Sequence, residues 1–343
     1  MPGKSKREQL AHRLSARIRK AKVKRECLHP NAPDDCRGKI VQAHTVQRKL
    51  LKKISRNGRV YMLDFDMTAT QSPLRMVPKG VSKASTFTGY CGYHDNQLFA
   101  PIEDRDLRVD QHHVSLLAYR SLTMELYNKH RLSDLYTQGL DLEDHSDIQE
   151  RVESLFGMAM PGTQMAISDG QILASMGQAI VNGDFSDFYY YALELDCVPQ
   201  ILCSAGRTLA CDVNGAPVQD LASPDALDLI SVNVLPHRTK YGLAVFAWYG
   251  KSEPNEQFIR SFDKVAHDRK ANVLVDFMFH NVESIIVSPK WWDEQEAAVK
   301  ERLLSKSYFG GSWFTPVNYP VTSDETRYVN WNVVGKPQNN LNL

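Results

Sequence analysis

The sequence has no long hydrophobic run and only six cysteines in 343 residues. A bilayer-spanning helix needs about 20 consecutive apolar residues, and no stretch approaches that length, so we expect no membrane span. The N-terminal region is charged and lacks the apolar core of a secretion signal. The cysteines are too few and too unevenly spaced for a disulfide scaffold. These absences predict a protein of a reducing compartment, the cytoplasm.

The chain also has almost no net charge, since its formal charge is +1, but the charges are unevenly distributed. Residues 1–60 contain 18 Lys and Arg against 4 Asp and Glu, whereas the remainder contains 23 against 36. Because phosphate backbones attract basic side chains regardless of sequence, this split favours nucleic acid as a partner of the basic part. The alternatives are solvated helix faces, or a basic helix on an anionic membrane, which would leave the cysteines unexplained.

Hydrophobic periodicity and turn signals predict an α+β protein with four parts. The parts are a basic helix over 1–26, a small zinc-stapled (treble-clef/HNH-like) module over 27–105, a helical connecting region over 106–183 and an α+β regulatory or sensing domain over 184–343. In the second part we expect a helix over 44–57, a strand over 60–65 and a loop over 66–85. In the third part we expect helices over 110–139 and 146–160.

The C-terminal part is rich in aromatic and β-branched residues, which predicts a mainly antiparallel sheet with flanking helices. The expected strands are 188–195, 201–205, 208–213, 229–235 and 243–249. Turn signals lie at Asn214-Gly215 and around Tyr241-Gly242. The expected flanking helices are near 254–270 and 290–306.

Four side chains have the chemistry of a zinc site, which needs Cys or His donors. Cys91 and His94 form the sharpest pair, on a turn expected at Gly89 and Gly92, and Cys27 and Cys36 form the second pair. The spare donors are His29 and His44. The alternative is that these thiols are small buried hydrophobes, although Cys27 and Cys36 flank a polar turn. The other cysteines, Cys197, Cys203 and Cys211, lie in apolar segments and are expected to be core thiols.

A zinc ion with four protein ligands has no open position for water, so any reaction must use groups beside it. His44, at the start of the expected basic helix, is the candidate general base. Asp95 is the candidate to orient His44 or to bind a divalent cation such as Mg²⁺, and Glu103 is close enough in sequence to join them. The alternative is that His44 only caps a helix. His112 and His113, which open another helix, are expected to be surface or capping residues.

Two basic stripes predict the nucleic-acid contacts. The first is formed by Arg13, Arg17, Lys20 and Lys24, and the second by Lys49, Lys52, Lys53 and Arg56. Tyr90 and Tyr93 interleave with the proposed metal ligands, where an unstacked base can lie on an aromatic ring.

The order of these residues is similar to that of zinc-stabilised HNH nucleases, which carry a catalytic His after the first ligand pair. This sequence departs from that pattern in three ways. The first pair is spaced by eight residues instead of two, His94 replaces the usual fourth Cys, and no acidic residue precedes His44. These departures argue against a standard DNA endonuclease.

A closer resemblance is carried by Cys27, Cys36 and Ala43-His44-Thr-Val-Gln47, and by the segments 87–95 and 98–103. These segments resemble bacterial antiphage proteins of the ring-activated zinc-finger ribonuclease type. The resemblance implies a ribonuclease that is silent until another domain senses a phage protein, and it implies self-assembly into a homo-oligomer. It also favours RNA over DNA and places the protein in the bacterial cytoplasm.

Three alternatives to a ribonuclease stay open. One is a zinc-finger nucleic-acid-binding regulator without catalysis. Another is an HNH-like DNA endonuclease, in which His44 and Asp95 would hold a second ion. In the third, the zinc module is architectural and the C-terminal sheet carries the function.

Overall fold

A computed structural model of the protein describes residues 25–65, 74–103, 107–137, 159–221, 223, 225–310, 319–339 and 341. Most of the predicted basic helix over 1–26 lies outside these residues, and so does most of the segment 146–160. The first basic stripe, Arg13, Arg17, Lys20 and Lys24, therefore lies outside the described residues.

The described residues form eight α-helices and eleven strands, which confirms the predicted α+β class. The strands are β1 (Ile40–His44), β2 (Arg59–Phe65), β3 (Leu74–Gly80), β4 (Thr86–Cys91), β5 (Phe188–Leu195), β6 (Ile201–Thr208), β7 (Leu229–His237), β8 (Tyr241–Tyr249), β9 (Ile286–Val287), β10 (Val333–Gly335) and β11 (Gln338–Asn339). The helices are α1 (Arg48–Ile54), α2 (Gly92–Glu103), α3 (Gln111–Thr137), α4 (Ala159–Val181), α5 (Glu253–Asp263), α6 (Lys270–Asn281), α7 (Pro289–Glu294) and α8 (Ala297–Gly310).

The strands form two antiparallel sheets. Among the described residues, β1 pairs with β4 alone, and the larger sheet has the order β10-β5-β8-β7-β6-β9-β2-β3, with β11 also pairing with β5. Its central strands are mostly apolar, and β7 is buried along its whole length. Because successive side chains point to opposite faces, Ala244, Phe246 and Trp248 of β8 join one core and the alternate residues join another. The two cores therefore lie on opposite faces of one sheet.

The larger sheet joins segments that are far apart in sequence. β9 pairs with β6 on one side and with β2 on the other, and β2 pairs with β3 along its whole length. The second core contains residues of β1, α1, α2 and α3 together with residues of the central strands. The residues around the predicted metal ligands therefore pack on the same sheet as the C-terminal strands. The predicted four-part division of the chain stays a prediction.

Several predicted elements were wrong in extent. The helix expected over 44–57 is shorter, because β1 ends at His44 and α1 begins at Arg48. Much of the loop expected over 66–85 is β3, which pairs with β2 and supplies the edge of the large sheet. The strand expected over 208–213 is absent from the described structure, in which β6 ends at Thr208 and Cys211 forms only an isolated bridge to Pro217.

Two further corrections concern helices. α6 was not predicted, because its β-branched and aromatic residues show no clear apolar face at helical spacing. In the structure this helix is buried on almost every side. The Cys91–His94 segment is not a turn, because β4 ends at Cys91 and α2 begins at Gly92. Within the described part of the chain, no helix is both long and apolar enough to cross a membrane.

Candidate metal centre and the adjoining polar site

Three chain segments bring the four predicted metal ligands together. Cys27 and Cys36 bound a turn-rich loop, Cys91 is the last residue of β4, and His94 lies in the first turn of α2. The loop is fixed on β4 because the Leu28 N–H donates to the carbonyl of Gly89 at 2.8 Å. Hydrogen bonds within its own backbone fold the loop back on itself. In one of them the Cys36 N–H donates to the carbonyl of Pro33 at 3.0 Å.

The donor atoms of Cys27, Cys36, Cys91 and His94 all lie within 4.8 Å of one another, and this cluster can hold a metal ion. His94 Nδ1 lies 3.3 Å from Cys27 Sγ and 3.7 Å from Cys36 Sγ. Around a tetrahedral zinc ion with bonds of about 2.0–2.3 Å, the donors are about 3.5–3.8 Å apart. The geometry and the Cys3His donor set therefore fit zinc.

Burial determines how readily the three thiols of the cluster ionise. Burial raises the pKa of Cys27 and also that of Cys36, the latter to about 12. Burial opposes ionisation of Cys91 too, but N–H groups of His94 and Arg37 lower its pKa. Because only thiolates are strong metal ligands, a cation that compensates three adjacent negative charges would hold all three thiols deprotonated.

The spare donors lie outside the ligand set. The ring of His29 stacks on that of His94, with centroids 3.8 Å apart and planes 5° from parallel, and its Nδ1 accepts from the Asn31 N–H at 3.1 Å. His29 therefore supports the orientation of His94 from outside the cluster. His44 is not one of the four clustered donors.

His44 lies at the far end of the β1–β4 strand pair from the metal-binding cluster, because it pairs with Thr86 whereas Cys91 pairs with Ile40. Its Nε2 lies 3.2 Å from the carbonyl oxygen of Val81. Since a carbonyl oxygen only accepts, Nε2 of the neutral ring carries the proton and Nδ1 offers a lone pair. Burial lowers the pKa of His44, which keeps the ring neutral at physiological pH.

Asp95 and Glu103 lie on one face of α2, with Phe99 between them at a spacing of four residues. Burial raises the pKa of Asp95, and its Oδ1 has no hydrogen-bond partner among the described residues. Glu103 Oε1 is paired with Nη2 of Arg120 at 2.7 Å. Glu103 also opposes the effect of burial on His44 by raising the pKa of that ring. The structure thus places Glu103 within electrostatic reach of both His44 and Asp95.

Sequence reasoning missed Arg120, which is linked to all three candidate catalytic residues. Its guanidinium lies over the ring of Phe99, 4.0 Å from the centroid, and it lowers the pKa of both His44 and Asp95. The available signal was that Arg120 lies within the mostly apolar stretch 114–126 of α3. Charged residues in such a position are almost never buried unless they are paired.

Three residues of the second basic stripe lie on α1, which borders this polar site, and Arg56 lies just after its end. Lys49, Lys52, Lys53 and Arg56 are all exposed. The Lys49 ammonium donates to the carbonyl of Glu103, and the Lys53 ammonium donates to that of Arg238 at 2.6 Å. Because a carbonyl is neutral, these two contacts do not cancel the positive charge of either lysine. The fourth residue, Arg56, is neutralised by an ion pair with Asp293.

The predicted stacking tyrosines, helix-opening histidines and core thiols are only partly where they were expected. Tyr90 is fully buried and cannot stack on a base, and Tyr93 lies under Arg37, whose guanidinium is 4.7 Å from the ring centroid. His113 is buried instead of exposed, and it accepts from the Arg108 N–H at 2.9 Å. The core thiol predicted at Cys203 is confirmed, whereas Cys197 and Cys211 are only partly buried.

Comparison of the chain with protein-family models, with curated proteins and with solved structures gave no match.

Proposed function

We propose that this protein is a nuclease that cleaves RNA, with a structural zinc ion and His44 as general base. The observation that carries the proposal is the position of His44. A neutral imidazole whose Nδ1 offers a lone pair lies within electrostatic reach of a carboxylate, and the Cys3His cluster lies at the other end of the same strand pair.

The proposed metal holds the ends of this small module together and takes no part in the reaction. Cys27, Cys36, Cys91 and His94 would bind zinc as a closed structural site. The β1–β4 strand pair and α2 would then keep His44 and Glu103 in register. A sheet of only two strands is marginally stable alone, so a bound metal ion would stabilise this one.

RNA supplies its own nucleophile, which makes a general base sufficient for the first step. Nδ1 of His44 would take the proton of a 2′-hydroxyl, and the resulting oxygen would attack the adjacent phosphorus. The bond from phosphorus to the 5′-oxygen breaks, and the leaving oxygen takes a proton from water. The products are a 2′,3′-cyclic phosphate and a 5′-hydroxyl end.

The basic face of α1 would hold the RNA backbone beside this site. Lys49 contacts the carbonyl of Glu103, so the exposed ammonium groups begin at the edge of the polar site. Counterion release would make this binding strongly dependent on salt. The family resemblance extends the proposal to a cytoplasmic antiphage ribonuclease that assembles into a homo-oligomer and is activated by a phage protein.

The proposal is tested by comparing the wild-type chain with His44→Gln, and with His267→Gln as a control at an exposed histidine. RNA and DNA are incubated with each protein, and RNA integrity is followed in cells that express it, with and without phage infection. We expect His44→Gln to lower cleavage about 100-fold or more, with RNA binding, fold and metal content retained.

The alternatives predict different results in the same experiment. Cleavage of DNA that requires added Mg²⁺ would favour the HNH-like endonuclease. Cleavage ends that carry a 5′-phosphate would also argue against the 2′-hydroxyl mechanism. RNA binding without cleavage in any arm, in solution and in infected cells, would favour the non-catalytic regulator.

A further inference from the structure

Arg120 is an almost completely buried charge, with only 1% of its side chain exposed. One nitrogen, Nη2, is paired with Glu103 Oε1, while Nε and Nη1 have no hydrogen-bond partner in the part of the chain that the structure describes. Burying a guanidinium with unsatisfied donors is costly. A position that carries this cost is a candidate for a functional role.

The guanidinium lies over the middle of the α2 face formed by Asp95, Phe99 and Glu103. It is therefore flanked by two carboxylates along the helix and influences both. The Glu103 side chain is 32% exposed, whereas that of Arg120 is closed to solvent. A substrate can therefore reach Glu103 but not Arg120, and any effect of Arg120 on a reaction passes through Glu103.

Glu103 is attached to the segment that follows His44. The Gln47 side chain donates to the carbonyl of Ile102 at 2.6 Å, and the Lys49 ammonium donates to the carbonyl of Glu103. These two bonds fasten the end of α2 to Gln47, just before α1, and to the first turn of α1. The carboxylate that Arg120 holds is thus near the His44 end of the β1–β4 strand pair.

The position of Arg120 is in turn set by the large sheet. The next residue, Ser121, hydrogen-bonds Ser204 at 2.9 Å and Asn233 at 3.0 Å. Leu122 packs so closely on β6 that a Cβ at Gly206 would lie 2.7 Å from its Cδ2. α3 therefore carries Arg120 as part of a helix that is seated on the sheet.

We propose that Arg120 is a positioning residue of this site, which fixes the Glu103 carboxylate near His44 and thereby sets how readily His44 accepts a proton. The role of Arg120 in RNA cleavage rests on the proposed function, but the electrostatic coupling of Arg120, Glu103 and His44 does not depend on it. Burial has the largest effect on the pKa of His44 and lowers it, and the Val81 carbonyl raises it. The charges of Glu103, Arg120 and Arg48 also affect this pKa. Glu103 raises its pKa and Arg120 lowers it, so the two charges have opposite effects.

The test is an NMR titration of His44 in full-length, metal-loaded protein with labelled histidine. The His44 signal is identified by its loss in His44→Gln. We expect Glu103→Gln to lower the His44 midpoint by about half a pH unit in the wild-type chain, and by clearly less in the Arg120→Gln chain, in which Glu103 is no longer held. Lys290→Gln, which removes an exposed charge on α7, should leave the midpoint unchanged. An equally large effect of Glu103→Gln in a folded, metal-containing Arg120→Gln protein would overturn the proposal.

Arg120→Lys takes its place if Arg120→Gln loses the metal, because it keeps the charge but not the planar group that pairs with Glu103. We then expect Glu103→Gln to shift the His44 midpoint less in the Arg120→Lys background than in the wild-type chain. Equal shifts in the two backgrounds would show that Arg120 does not hold Glu103, and the proposal fails.

Cleavage provides a separate readout. If Arg120 acts through Glu103, kcat/KM of the Arg120→Lys, Glu103→Gln double variant should be no lower than that of Glu103→Gln alone. Additive losses would contradict the proposal. A wild-type chain that does not cleave RNA would defeat the proposed function, while the titration would still decide the coupling.

Discussion

At the level of single residues, the metal ligands differ from the other cysteines in their surroundings. Cys27, Cys36 and Cys91 lie within 4.8 Å of each other and of His94 Nδ1. Cys203 lies in the core with its thiol directed at the carbonyl of Val232, at 3.7 Å. The same side chain therefore lies in a cluster that can hold a metal ion in one place and serves as a small hydrophobe in the other.

This difference predicts the result of removing one thiol. Cys91→Ser should reduce bound zinc from about one ion per chain to near zero, and it should lower Tm by at least about 5 °C, because metal binding contributes folding free energy. Elemental analysis and thermal unfolding measure the two effects. Cys211→Ser, at a partly buried thiol away from the cluster, is the control and should retain its zinc. Full zinc content in Cys91→Ser would show that this thiol is not a ligand.

At the level of secondary-structure elements, the loop between Cys27 and Cys36 is held from both sides. On one side it is bonded to β4 through Leu28. On the other it meets α4 at Gly177, where an added Cβ would collide with the ring of Pro30 and lie 2.8 Å from the hydroxyl of Tyr119. Glycine is required here because α4 and the loop approach so closely.

The two glycines Gly170 and Gly177 of α4 make a matched pair for testing this contact. Gly177→Ala should lower the free energy of unfolding by about 1–3 kcal/mol, because the rigid Pro30 ring must shift, and it should speed the loss of zinc to a chelator. Gly170→Ala has no neighbour within 4 Å of the new Cβ, so it should raise stability by up to about 1 kcal/mol through helix propensity. Denaturant unfolding and the rate of zinc release measure these effects. Stabilisation of similar size in both variants would contradict the close packing.

At the level of the whole molecule, the segment that bears the metal ligands shares its core with the C-terminal strands. Val46, Leu51 and Phe99 belong to the same hydrophobic cluster as Leu202 and Val245. The β2–β3 hairpin also continues the large sheet through β9. Loosening of one part would expose apolar surface of the other, so we expect the two parts to unfold together.

Two independent signals can test this expectation. All five tryptophans lie between positions 248 and 331, so their fluorescence reports on the C-terminal strands and helices. Release of zinc to a colorimetric dye reports on the cluster at Cys27, Cys36, Cys91 and His94. The two transitions should coincide on heating. Zinc release well below the fluorescence transition would mean that the two parts unfold separately.

The sequence by itself identified the four side chains that cluster as possible metal ligands, and much of the sheet. Cys and His are identifiable as donors wherever they occur, and a polar turn between Cys27 and Cys36 leaves them few other roles. β5 was predicted to the residue and β7 and β8 nearly so, since apolar runs between turn signals are local patterns.

Only the tertiary structure decided where His44 lies and what surrounds it. Strand β1 is stabilised by pairing with β4, forty and more residues later in the chain, so local periodicity favoured a helix beginning at His44. The pairing of Arg120 with Glu103 likewise depends on how α3 crosses α2. Periodicity reports which face of an element is apolar, but the partner of a buried charge is fixed by packing between elements, and that packing needs the whole fold.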